Sequence, residues 1–437
     1  MNHPAARRYR VRPSRGVSGA LRVPGDKSIS HRALMLGGVA TGRTEIDGFL
    51  ASEDCLATLA ALRALGVQIE RPDATHVLIQ GVGSRGLHAA QAPLDMGNAG
   101  TAMRLFMGLL AGQGFGSTLI GDASLMRRPM ERVAQPLRSM GASIRTHEGR
   151  PPVEIQAVAN LTAIDYRLPV ASAQVKSALL LAALWAQGRT SVTEPAPTRD
   201  HTERMLRDFG VEVTREGARV SLTGGARLSG CRVVVPGDFS SAAFFIVAGC
   251  LGAPSGLTLR GVGVNPTRTG LLDLLRLMGA QIEVEPHVGG AEPIADIHVR
   301  ASALQGIRVP EALVPLAIDE FPVFFIAAAA ARGETLVTGA AELRVKESDR
   351  LAVMAAGLAA LGIECELLAD GLRLVGGPMR GGRIDSHGDH RIAMAFAVAS
   401  LLAREEIEIE DVANVATSFP GFAELARRAG LELTEST

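Results

Sequence analysis

The sequence predicts an α/β protein of two domains, each built from three repeats of about seventy residues. Three observations carry this. A length of 437 residues exceeds what one hydrophobic core ordinarily serves. One phrase, a short apolar helix followed by Gly and an alternating strand, occurs six times. A longer phrase built on Pro-Gly-Asp occurs twice, about three repeats apart.

The six instances, in order, are "TLAALRALGVQIE", "PLRSMGASIRTHEG", "MLRDFGVEVTREG", "LLDLLRLMGAQIEVE", "AAGLAALGIECELL" and "ELARRAGLELTE". Their glycines, Gly66, Gly141, Gly210, Gly279, Gly362 and Gly430, are spaced by 75, 69, 69, 83 and 68 residues. Leu and Ala at i, i+3 and i+4 write one apolar stripe on a helix. Gly after it takes the left-handed conformation that ends the helix, and "VQIE" or "AQIEVE" then alternates at period two. Each such helix packs one face on a sheet, and a single unit buries too little to stand alone, so neighbouring units share a core. "VPGDKSISHRALMLGGV" and "VPGDFSSAAFFIVAGC" place Pro24 and Pro236 212 residues apart. One domain therefore spans residues 23–236 and the other residues 1–22 plus 237–437, with the strand formed by the first 22 residues pairing with the C-terminal half. The longest apolar runs, "AAFFIVAGCLGA" and "VFFIAAAAA", are shorter than the roughly 18 residues that span a bilayer and read as buried helices.

Composition narrows the function. Basic and acidic residues balance at 45 each with a pI near 7.2, so no field invites nucleic acid or an acidic membrane. One Trp and two Tyr cannot build a stacking platform for single strands. Cys55, Cys231, Cys250 and Cys365 lie far apart and form no metal-ligand spacing; they read as reduced core thiols of a cytoplasmic protein. "MNHPAARRYRVRPSR" is basic but lacks the apolar stretch of a signal peptide, and reads as a frayed tail.

The chemistry concentrates where polar stretches open apolar helices. "PGDKS" is not a P-loop, because Asp26 separates Gly25 from Lys27 and the preceding glycine is Gly19. It is still an anion site in type: Ser28 and Ser30 hydroxyls, free backbone N–H groups, Lys27 and Arg32 at one helix start. Of 45 basic residues only Lys27, Lys176 and Lys346 are lysine, each in a polar stretch beside an apolar helix. Lysine offers a compact charge with three rotatable donors and a tunable pKa, which suits anion and proton-transfer sites. Gly97-Asn98-Ala99-Gly100-Thr101 lets a ligand approach the main chain closely. Arg127 and Arg128 precede a proline placed to start a helix, an unfavourable dipole arrangement unless an anion binds there. Ser172, Ala173 and Gln174 open one helix, and Thr198, Arg199, Asp200 and His201 another. Asp319 and Glu320 stand at the mouth of an apolar helix, where capping accounts for at least one of them. "ELRVKESDRL" gathers Arg344, Lys346, Glu347, Asp349 and Arg350, and His390 and Arg391 precede a further apolar helix. The residues by themselves point to a transferase gripping two phosphate or carboxylate ligands between two domains, with Asp319 and Glu347 as the available acid and base.

"PGDKSISHRALMLGG", "GNAGTAMRL", "GDASLMRRPMERV", "SAQVKSALLLA", "TRDHTERML", "NPTRTGLL", "ELRVKESDRL" and "DHRIAMAFAVA" resemble, in order, the motifs of the 5-enolpyruvylshikimate-3-phosphate (EPSP) synthase family from about residue 18 onward. The resemblance implies an inside-out α/β barrel architecture, two domains each of three βαβαββ-type units with buried helices and outer sheets, and an active site in the cleft between them. It implies transfer of the enolpyruvyl group of phosphoenolpyruvate to the 5-hydroxyl of shikimate 3-phosphate, in the shikimate pathway, by a monomer without metal or organic cofactor. By the same resemblance, Lys27, Ser28, Arg32, Ser172, Ala173, Gln174, Arg199, Asp319 and Lys346 hold shikimate 3-phosphate. Lys27, Asn98, Gly100, Arg128, Arg350 and Arg391 hold phosphoenolpyruvate. Asp319 accepts the hydroxyl proton, and Glu347 and Lys27 are the candidates to protonate the methylene carbon.

Ala173 and Ser418 stand where the commoner branch of the family has a serine and a lysine, and "SAQVKSA" with "TRDH" resembles the second branch. The resemblance gives Lys176 no ligand role, so it reads as a structural lysine. In that branch a side chain at the position of Gly100 narrows the pocket against the inhibitor glyphosate; glycine here implies sensitivity. Two other readings compete. The sister enolpyruvyl transferase acting on UDP-N-acetylglucosamine carries a cysteine in the loop that here reads "GDASLMRRPM" and an Asn after its early lysine, and both are missing. A non-catalytic binder of shikimate 3-phosphate would not need Asp319, Glu347 and Lys27 together.

Overall fold

The computed structural model describes residues 7–436. The chain divides into two compact units, Gly25–Val235 and Met1–Pro24 plus Pro236–Thr437, each around its own apolar core.

The unit Gly25–Val235 contains α1 (Lys27–Val39), α2 (Glu53–Ala64), α3 (Gly100–Leu110), α4 (Glu131–Ser139), α5 (Ala173–Ala183) and α6 (His201–Asp208). Apolar residues run almost all round α1, α3 and α5, which are accordingly buried. Helices α2, α4 and α6 keep one polar face outward. Strands follow one grammar. Leu94–Asp95 runs parallel to Ser117–Ile120, which is antiparallel to Arg150–Gln156, itself antiparallel to Ser143–His147. Asp165–Arg167, Arg189–Thr193, Arg219–Thr223 and Val213–Glu216 repeat that order. So do Arg232–Val234, Thr41–Asp47, His76–Val82 and Gln68–Glu70.

The other unit contains α7 (Phe239–Gly252), α8 (Gly270–Leu277), α9 (Val314–Ala317), α10 (Phe321–Ala330), α11 (Arg350–Ala360), α12 (His390–Val398) and α13 (Phe422–Ala429). The two apolar runs become α7 and α10; twelve of fourteen residues in the first and nine of ten in the second are buried. Each enclosed Phe or Leu contributes about 1.5–3 kcal/mol of transfer free energy. Gly19–Leu21, Leu257–Gly263, Ile294–Arg300 and Gln281–Pro286 form one sheet in the same order as before. Glu334–Val337, Leu372–Val375 and Glu364–Leu367 form a second that keeps the antiparallel part. All six phrase glycines have φ between 84° and 119°, the left-handed cap that the pattern predicts.

The remaining sheet bears out the pairing of an N-terminal strand with the C-terminal half and corrects the frayed-tail reading of the residues that form it. Arg8–Arg12 is no frayed tail: it lies between Ile407–Glu410 and Glu432–Ser436, antiparallel to both, with Gly382–Asp385 beyond. The last repeat ends after its edge strand, and the chain start supplies the strand that a local hairpin supplies elsewhere. Tyr9 and Val11 face the core, and the arginines face carboxylates outside, with Arg8 3.0 Å from Glu408. Residues 1–6 lie outside the described residues. Two smaller expectations also change. Only Cys55 and Cys250 are core thiols, whereas Cys231 and Cys365 are half-buried; all four are unpaired. Pro129 does not start a helix: Met130 is the N-cap of α4, and the Met130 and Glu131 amides donate to the Gly149 carbonyl, so the neighbouring hairpin sets the start.

Candidate active site

In the unit Gly25–Val235 the predicted residues fall into three linked groups. The first is the start of α1. Asp26 caps it, its Oδ1 accepting from the Ile29 amide at 2.9 Å, which leaves Lys27 and Ser28 at the open end. Lys27 Nζ lies 2.8 Å from Asp54 Oδ2 on α2. Arg32, one turn on, is buried and held on three sides: Nε donates to Thr202 Oγ1 at 2.7 Å, one terminal nitrogen to Ser177 Oγ at 2.8 Å, and the other to the Ser28 carbonyl at 3.1 Å. Ser30 is not offered to a ligand, because its hydroxyl is buried and accepts from the Leu50 amide. His31 is fully enclosed against Thr58, and burial, with the charges of Lys27 and Arg32, pushes its pKa down to about 3.

The second group is the start of α3. Arg128 turns inward and donates to Asn98 Oδ1 at 2.5 Å and to the Asn98 carbonyl at 3.3 Å, while Asn98 Nδ2 donates to Asp122. Gly100 is buried directly beneath. A Cβ there would meet the Arg128 guanidinium at 2.9 Å and that of Arg104 at 3.2 Å. The third group is the start of α5. Ser172 caps it through the Val175 amide, and Ala173 is its first residue. The Gln174 amide is oriented at both ends, accepting from Arg104 at 2.8 Å and donating to Thr101 at 3.0 Å. Arg199 stands half-buried on the segment that leads into α6.

In the other unit Asp319, Glu347 and three cations share one neighbourhood. Asp319 precedes α10. Its Oδ1 lies 3.4 Å from Lys346 Nζ and 3.6 Å from Arg350, and its Oδ2 lies 4.0 Å from Arg391. Arg391 also donates to the Asp319 carbonyl at 2.9 Å. Arg350 bridges to Glu347 at 2.5 Å and to Asp389 at 2.8 Å. Burial works against its charge, but Asp389, Glu347 and Asp319 outweigh that and raise its pKa. Glu320, buried beside Asp319, is structural: it accepts from Ser240, and Arg268 joins Ser240 to the α7 cap Asp238. Arg344 belongs to the scaffold as well, bonding the Leu368 and Ala369 carbonyls. Ser418, in the place of the absent lysine, is buried and closes a turn onto the Val415 carbonyl.

Three functional neighbours escaped the sequence reading. Asp54 pairs with Lys27, Arg104 orients Gln174, and Asp389 caps α12 while holding Arg350. Arg104 carries a signal, as the lone charge in an otherwise apolar helix; Asp389 stands beside the singled-out His390 and Arg391 in "GDHR" and is passed over.

Two α/β units of one strand grammar, with buried helices and cations at their starts, define the class of fold. The fold is that of the enolpyruvyl transferase NikO from Streptomyces tendae, with a TM-score of 0.81 at 18% identity over 99% of this chain and all of that one. Relatives nearer in sequence refine this. The family model of EPSP synthase (3-phosphoshikimate 1-carboxyvinyltransferase) matches residues 11–425. The chain is 62% identical to the 3-phosphoshikimate 1-carboxyvinyltransferase of Alkalilimnicola ehrlichii, covering 98% of this chain and 96% of that protein. It is 60% identical to that of Acidithiobacillus ferrooxidans, covering 98% of each. It superposes on the EPSP synthase of Acinetobacter baumannii with a TM-score of 0.89 at 53% identity, over 99% of this chain and all of that one. The chain therefore belongs to the EPSP synthase family, a family of transferases.

Proposed function

We propose that the chain transfers the enolpyruvyl (carboxyvinyl) group of phosphoenolpyruvate to the 5-hydroxyl of shikimate 3-phosphate, and that each unit supplies one half of the binding residues. The reaction adds an alcohol across an enol phosphate. The 5-oxygen bonds C2 as a proton reaches C3; C3 then loses a proton, the C2–OPO₃ bond breaks, and phosphate leaves.

The observation that carries this reading is the carboxylate of Asp319 with Lys346, Arg350 and Arg391 all within 4.0 Å. A base is thereby set among cations that suit the phosphate and carboxylate groups of both substrates. Asp319 takes the hydroxyl proton, and Glu347, held by Arg350, and Lys27 deliver or receive the proton at C3. Lys346, Arg32, Ser28, Ser172, Ala173 through its backbone, Gln174 and Arg199 bind shikimate 3-phosphate. Arg128, Asn98, Gly100, Arg350, Arg391 and Lys27 bind phosphoenolpyruvate. Lys27 leaves Asp54 for the ligand or shares its donors between them, which three rotatable N–H bonds permit. The reaction requires that water be kept from the intermediate. We place the chain in the cytoplasm as a monomer whose partners are these small molecules; no described helix is long and apolar enough to cross a membrane.

Phosphate release from phosphoenolpyruvate, measured with shikimate 3-phosphate or with UDP-N-acetylglucosamine as acceptor, tests the assignment. Release only with the former is expected. Release only with the sugar nucleotide would move the chain to the sister reaction, and none with either acceptor would leave a binder.

A further inference from the structure

Lys176 is the one lysine that this chemistry leaves unused. It lies in α5 with its side chain fully buried, Nζ 2.7 Å from Glu203 Oε1, 3.0 Å from Glu194 Oε1 and 3.5 Å from the Thr198 carbonyl. Thr198 Oγ1 donates to Glu194. Arg215 completes the charge balance at the outer edge, 3.5 Å from Glu194 and 3.9 Å from Glu203. Such a set is a poor stabiliser, because the cost of desolvating the charges roughly cancels their attraction. Its geometric effect is larger. Three oxygens on two chain segments converge on one ammonium carried by a third, so α5, the segment from Glu194 to Asp200, and α6 are held at one spacing.

Those segments carry the acceptor-binding candidates. Ser172, Ala173 and Gln174 begin α5 one turn from Lys176. Arg199 follows Thr198. Arg32 reaches the same seam from α1, through Ser177 beside Lys176 and Thr202 beside Glu203. A compact ammonium with three rotatable donors suits an enclosed site with oxygens on several sides better than a larger guanidinium of fixed planar geometry. That accounts for a lysine persisting here in a chain with 42 arginines.

We propose that Lys176, with Glu194 and Glu203, is a positioning set that holds Arg199, Arg32 and the start of α5 at the spacing required by the anionic groups of the acceptor, without touching it. This rests on the acceptor assignment made above.

The test compares the full-length wild type with Lys176→Met, Glu203→Gln and the double variant Lys176→Met/Glu203→Leu, which leaves Glu194 facing Arg215. Steady-state constants for both substrates and a thermal midpoint are measured for each. In both single variants KM for shikimate 3-phosphate should rise tenfold or more, with KM for phosphoenolpyruvate within twofold and kcat within threefold. The double variant should recover the wild-type midpoint yet keep the raised KM. An unchanged KM for shikimate 3-phosphate in any folded variant, an equal rise in both KM values, or recovery of KM in the double variant would overturn the proposal. If Lys176→Met fails to fold, the other two variants decide. Wild type that turns over no shikimate 3-phosphate would refute the acceptor assignment itself, and this inference with it.

Discussion

Replacing Gly100 by alanine places a methyl group 2.9 Å from one Arg128 terminal nitrogen and 3.2 Å from that of Arg104. Ordinary carbon contact begins near 3.4–4 Å, so the Arg128 guanidinium must retreat by about 0.5–1 Å. It is the far end of a flexible side chain, and the backbone need not move. At a helix start alanine also recovers up to about 0.5–1 kcal/mol of the entropy that glycine loses on folding, so the thermal midpoint should stay within a few degrees of wild type or rise slightly. The cost falls on the ligand. A hydrogen bond to a charged group is worth about 1.5–3 kcal/mol, and weakening it by half corresponds to a rise of about three- to tenfold in KM for phosphoenolpyruvate. KM for shikimate 3-phosphate should stay within twofold, since Gln174 and Arg199 lie on other segments. Glyphosate, a longer phosphonate competing for the same place, should lose more, so its inhibition constant should rise well beyond the rise in KM. Inhibition kinetics on wild type and Gly100→Ala measure both quantities. Equal inhibition constants for the two proteins would refute the reasoning.

Three further outcomes follow from the same geometry. Asp319→Asn removes the proposed base, and kcat should fall about a hundred- to ten-thousandfold while KM for phosphoenolpyruvate changes little; a kcat within threefold of wild type in a steady-state assay would exclude that role. His31 stays neutral in the folded state down to about pH 3, while the unfolded ring protonates below about 6.5. Stability should therefore drop as pH falls from 6.5 toward 3, by about 1.4 kcal/mol per unit, a contribution absent from His31→Gln. Urea unfolding at pH 7.5 and pH 4.5 should show wild type losing more stability than the variant, by about 2–3 kcal/mol, and parallel losses would contradict it. Deleting residues 1–12 removes the strand between Ile407–Glu410 and Glu432–Ser436 and exposes the sites of Tyr9 and Val11, so the midpoint should fall by several degrees or the protein should aggregate. A deletion variant as stable as wild type would show that the strand is dispensable.

The N-terminal strand shows how far sequence reaches. "RYRVR" alternates at period two, the signature of a half-buried strand, and net basic charge obscured it. Its partners are about 400 residues away, so nothing local says which edge it joins. The same holds in the candidate site. The caps Asp26, Ser172 and Asp238 could be read from the chain, because each bonds amides two or three residues on. The pairing of Arg104 with Gln174 spans 70 residues and that of Arg350 with Asp389 spans 39. Neither has a local pattern.

Sequence alone determined the six repeats, their helix starts and ends, and the residue types gathered at each start, because periodicity, caps and left-handed glycines act through backbone bonds a few residues long. Tertiary structure alone decided which two strands of the C-terminal half receive the first strand, that Lys176 is enclosed by Glu194 and Glu203, and that Asp319 sits among three cations. Those outcomes depend on which helices and strands are brought side by side. A buried charge must find its partner wherever packing places one, and the distance between them along the chain does not enter.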